Sequence, residues 1–125
     1  MSILLWAFAI AVALVMCGSG AMKLIRPKAA LQSAGMAWAE DFSPGAIKVL
    51  GGAELLGAVG LILPAVLDKG SVLVPVAAAC LAAVMVGAII VHLRRREGIV
   101  AVLPAVLVFA LAIIVAWGRF GPYAF

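Results

Sequence analysis

Charge is what this sequence has least of. Only 11% of its 125 residues are Asp, Glu, Lys or Arg, against 68% hydrophobic residues and a mean hydropathy of +1.34. A soluble domain needs far more polar surface to face water, so a water-soluble fold and a separate soluble catalytic domain are both excluded. Histidine occurs once and cysteine twice. Cys17 and Cys80 are far apart with no Cys-x-x-Cys, so nothing in the sequence supports dithiol chemistry by this chain alone or a metal site of recognised ligand spacing. Strict polar-apolar alternation is also missing, which excludes the strands of a membrane barrel.

What remains is long apolar runs. A helix needs about 20 apolar residues to cross the hydrocarbon of a bilayer, and four such runs are present, at about 3–22, 46–67, 72–93 and 99–117. Lys23, Arg26 and Pro27 close the first, Asp68, Lys69 and Gly70 the second, and Arg94, Arg95 and Arg96 the third. Pro64, Pro75 and Pro104 fall near span ends, where a missing amide donor costs least. The fold class is therefore an all-α membrane protein, a single bundle of four transmembrane helices over residues 1–125. The first span lacks a basic start, so it is expected to be retained rather than cleaved as a signal peptide.

Seven of the nine cations (Lys23, Arg26, Lys28, Lys48, Arg94, Arg95 and Arg96) fall at one end of these spans, and only Lys69 and Arg119 at the other. Basic loops resist translocation, so the seven-cation end is expected in the cytoplasm and both termini outside it. The protein is expected to be a multi-pass protein of the cell membrane, an inner membrane in a bacterium. Trp6, Trp117, Phe120 and Tyr123 would form the interfacial aromatics of the other face. The net charge of +4 is explained by this topology, and nucleic acid is not an expected partner.

About 22 residues, Lys23 to Pro44, link the first two spans, which is long for so compact a bundle. Their mixture of apolar and polar side chains suits a short interfacial helix anchored by Trp38, either a solvated connector or a flap over a cavity.

Glu54 stands alone inside the second span, about eight positions and roughly 12 Å from its start. A carboxylate at that depth is costly, so it is expected to face a partner or a cavity. Gly51, Gly57, Ala58 and Leu61 share its helical face and let a helix or ligand come close. Lys23 and Ser19 at the end of the first span, and His92 at the end of the third, are the candidate partners. His92 shares a side with Ala88, Met85 and Leu81 and could relay a proton or hold an oxygenated head group. The small residues Ala9, Ala13, Cys17 and Ala21, and separately Ala79, Ala83 and Gly87, are expected to line helix contacts, with both cysteines as packing residues.

Several segments resemble the DoxX-like family of small four-helix membrane proteins: Ser19-Gly20-Ala21-Met22-Lys23-Leu24, the run from Gly51 to Pro64, Gly87 to Arg95, and Gly118-Arg119-Phe120. The resemblance implies a link to quinone-dependent sulfur oxidation or to membrane oxidoreductase assemblies that resist oxidative stress. Together with the residues above, it leads to an expected accessory subunit of a membrane redox system. That subunit would bind a quinone-like apolar ligand, with no covalent cofactor and no metal, beside Glu54, His92, Lys23 and Ser19. Its expected partners are the bilayer, a membrane oxidoreductase and further copies of itself. Two alternatives stay open, an assembly protein with no ligand and a small-molecule transporter.

Overall fold

The computed structural model describes residues 2–33 and 42–122, and among them the chain is all-helical with no strand. Five helices follow in order: α1 (Ser2–Ile25), α2 (Lys28–Ser33), α3 (Pro44–Leu67), α4 (Leu73–Arg94) and α5 (Ile99–Phe120). The four long ones are each apolar and long enough to cross a membrane. They run slightly past the uncharged runs that announce them, because long cationic side chains at a helix end reach the interface while their backbone stays helical. The start of α3 is set by Ser43, whose Oγ accepts a hydrogen bond from the Ala46 amide at 3.1 Å, with Pro44 in the first helical turn. Its end is set by Asp68 in the left-handed conformation and Gly70 at φ +61°, which turn the chain sharply into α4. The short α2 tucks under the bundle through Leu31, which is fully buried and clusters with Ile47, Met22 and Phe42. Trp38 and the flap expected around it lie in residues 34–41, outside the described residues, as does Tyr123.

The spanning helices alternate in direction and form a ring in which α1 packs chiefly on α3 and α4 chiefly on α5. Cross-pair contacts close the ring between α3 and α4 and between α1 and α5. The surface carries Ile3, Leu14, Leu56 and Leu107, all well exposed, whereas Lys23, Glu54 and Arg119 are buried. Apolar side chains outside and charges inside is the arrangement for a lipid solvent.

Helix α1 meets α3 backbone to backbone. A Cβ added at Gly20 would lie 2.6 Å from the Gly51 carbonyl oxygen, and one at Gly51 would lie 2.7 Å from Lys23 Cβ and 2.9 Å from the Gly20 carbonyl oxygen. Neither position has room for a methyl group. Glycine also makes the cross-pair contacts: an added Cβ would meet Leu81 at Gly57, Ala77 at Gly60 and Leu5 at Gly118.

The expected small-residue stripes are corrected in part. On α4 the buried side is Val74, Pro75, Ala78, Leu81, Ala82 and Met85, so Ala79 and Ala83 point outward and Gly87 is exposed too. On α1, Ala9 and Ala13 are buried but Cys17 is not. Cys17 and Cys80 are both exposed free thiols rather than packing residues. In a membrane helix every side is apolar, so smallness alone does not reveal which one faces a neighbour.

The Gly20–Gly51 crossing yields a direct test. Gly51→Ala is expected to destabilise the detergent-purified protein by about 1–3 kcal/mol, the usual scale of overpacking, because the opposing Lys23 Cβ and Gly20 carbonyl oxygen are fixed by the α1 backbone and cannot rotate away. Gly52→Ala, where an added Cβ meets nothing within 4 Å, is expected to leave the melting temperature unchanged.

Candidate functional site

The close approach of α1 and α3 delivers Lys23 to Glu54. Lys23 Nζ lies 2.5 Å from Glu54 Oε1 and donates to Ser19 Oγ, one helical turn back, at 2.6 Å. Residue Glu54 is only 1% exposed and Lys23 6%, so the pair is buried. A buried ion pair is held by mutual need: each charge alone would be far more costly than the two together. The pairing is incomplete, because Glu54 Oε2 is buried and has no hydrogen-bond partner among the described residues. Nearby, Lys48 Nζ donates to the Leu24 carbonyl at 2.9 Å, satisfying a backbone acceptor at the end of α1 and placing positive charge at the negative pole of that helix.

On the other helix pair, His92 near the end of α4 is held by its own turn. His92 Nδ1 lies 2.5 Å from Glu97 Oε1, and Arg95 Nε donates to Glu97 Oε2 at 2.8 Å. Two positive-φ residues, Arg96 and Gly98, fold the turn so that Glu97 doubles back on the helix. The hydrogen bond from His92, aided by Arg95, holds the Glu97 carboxyl below its ordinary value against the opposing effect of burial. A carboxylate at Nδ1 fixes the proton there, so in the neutral ring Nε2 is an acceptor.

Between the two pairs lies a cleft of about 630 Å³. Its volume lies within the range of small-molecule pockets, roughly 300–1,000 Å³. Lys23, Ser19 and Glu54 line it from α1 and α3, His92 from α4, and Met16, Met85, Ala105 and Val108 form much of its apolar wall. Val15, Gly87 and Pro104 also line it while remaining exposed, so the cleft is open rather than sealed. Its position follows from the glycines. The contacts of Gly57, Gly60 and Gly118 clasp the pairs together in the half of the bundle away from Lys23. The cleft lies toward the cationic end, where Phe42, just before α3, also borders it.

The sequence model of the DoxX-like family matches residues 7–115, nearly the whole chain. The chain belongs to the DoxX-like family. No curated protein and no solved structure matches it. With four apolar helices of spanning length, this DoxX-like protein is a small multi-pass integral membrane protein in contact with lipid along its helices.

All four residues singled out in the sequence of this DoxX-like chain border the same cleft. Three of them form one hydrogen-bonded group, while His92 is bound to Glu97 instead of to Glu54. Glu97 was missed: it follows three arginines and resembles a solvated turn charge, and only its spacing of five from His92 hints at a contact across the turn. No cluster of metal-ligating side chains occurs among the described residues. At the opposite end Arg119 lies 5.9 Å from the centre of the Trp6 ring, a cation–π contact that links α5 to α1.

The buried pair predicts strong non-additivity. Lys23→Met alone should cost about 3–5 kcal/mol by leaving a carboxylate uncompensated, and Lys23→Met with Glu54→Leu should recover most of it. Unfolding of the two variants in detergent against wild type measures this. The turn predicts a pH dependence. Because the Glu97 carboxyl is held below its ordinary 4.5, its stabilising effect is complete above that value and is lost as pH falls through the lowered one. The stability difference between wild type and Glu97→Gln should therefore be constant near neutrality and shrink on acidification below about pH 4.5.

Proposed function

We propose that the cleft binds a quinone-like amphiphile, its apolar body among the methionines and valines and its oxygenated head beside Glu54, and that the protein serves a membrane redox system as an accessory subunit. One observation carries this reading: a buried carboxylate oxygen without a hydrogen-bond partner among the described residues, on a residue that lines a mostly apolar cleft between helix pairs. In this reading Glu54 accepts or delivers a proton and Lys23 supplies the compensating positive charge. Ser19 positions the Lys23 ammonium, and His92, held by Glu97, orients the head group from the opposite wall. The excess of cations at the cleft end supports a cytoplasmic location for that end, with the Ser2 end of α1 and the Phe120 end of α5 outside.

The ion pair itself favours a second reading, an assembly protein in which Lys23 and Glu54 only lock α1 to α3. The two differ in what they require of Glu54 Oε2, because a structural lock has no use for an acceptor that faces no partner.

Titration of a short-tailed quinone analogue into the reconstituted protein separates them. Glu54→Gln is expected to weaken binding about tenfold or more, the scale of a hydrogen bond to a charged group, and to flatten its pH dependence. Identical affinity and pH dependence in the two proteins would remove Glu54 from the site. Recovery of a stable co-purifying enzyme in mild detergent, with no small molecule bound, would favour the assembly reading.

A further inference from the structure

The polar groups of the cleft are not balanced between donors and acceptors. Glu54, paired with the Lys23 ammonium, is a carboxylate and so can only accept hydrogen bonds. Its Oε1 is engaged at 2.5 Å, and its Oε2 is buried with no hydrogen-bond partner among the described residues. His92 has its Nδ1 committed to Glu97. The Lys23 ammonium carries three N–H donors, and those it directs at Ser19 Oγ and Glu54 Oε1 leave Oε2 unsatisfied. Ser19 keeps a hydroxyl proton, but a hydroxyl is a neutral donor, and serine in a helix commonly turns that proton to its own backbone. A charged acceptor outweighs a neutral donor, since hydrogen bonds to ionised groups are roughly twice as strong as neutral ones.

We infer that the cleft selects a head group that donates a hydrogen bond, a quinol or other hydroxyl-bearing amphiphile, over one bearing carbonyls alone. The inference rests on the ligand-binding reading above and goes further by stating which form of the ligand is held. A hydroxyl facing Glu54 Oε2 satisfies a buried lone pair. A quinone carbonyl in the same place sets two acceptors against each other where little water can intervene to screen them. No electron or covalent bond changes hands in this selection. It is a difference in binding between two states of one molecule.

The test uses the full-length wild-type protein in lipid nanodiscs and three probes with the same tail: a decyl-substituted benzoquinone, its quinol kept reduced under anaerobic conditions, and the dimethyl ether of that quinol. The ether keeps the ring and the oxygens and removes only the donors. The quinol should bind about tenfold to a hundredfold more tightly than either of the others, the factor set by one hydrogen bond to a charged acceptor. In Glu54→Gln the preference should collapse, because an amide offers both a donor and an acceptor. Equal or tighter binding of the quinone by wild type would overturn the inference and leave the ligand-binding reading standing. Binding of none of the three would overturn both.

Discussion

A buried carboxylate has to be answered from inside the protein, and the bundle is arranged around that requirement. Glu54 enters on α3, and the nearest cation that can reach it is Lys23 on α1. Their meeting requires the two backbones to approach within the width of a glycine, which Gly20 and Gly51 permit. The charge pair and the glycine crossing are thus one device. The crossing brings the charges together, and the charges fix the register of α1 on α3, since sliding either helix by a turn would strand both.

From that fixed pair the cleft follows by geometry. The pairs α1/α3 and α4/α5 are clasped at one end by Gly57, Gly60 and Gly118, against Leu81, Ala77 and Leu5. The cleft lies beyond these contacts, toward the cationic end, and Glu54 and His92 border it from opposite pairs. Small residues widen part of its wall: Gly87, Ala88 and Ala105 line it beside the larger Met16, Leu50 and Met85.

Much of this was legible in the sequence because the bilayer imposes strong rules. Span number and position follow from hydropathy, and a lone carboxylate in a span has to be interior, so Glu54 and its glycine-rich face announced themselves. Lys23 and Ser19 were within reach by depth alone. Other features were not legible. The side of α4 that faces the bundle could not be read, since Ala79 and Ala83 are as small as Ala78 and Ala82 yet point the other way. Cys17 looked like part of a packing stripe because alanine neighbours continued it, but the buried side of α1 at that level is carried by Met16. The cleft is bounded by residues remote in sequence, and a local pattern carries no trace of it. Glu97 was hidden by its neighbours, because beside three arginines a carboxylate has an obvious role already.

That hidden residue bears on how the two walls of the cleft differ. The Lys23–Glu54 wall is rigid and buried, held by helix against helix. The His92 wall depends on a turn of positive-φ residues and on a carboxylate that is only partly covered. A ligand entering between the pairs would meet one fixed group and one adjustable group. Specificity would then reside on α3, where reorganisation is expensive, while His92 could shift with its turn to accommodate head groups of different size.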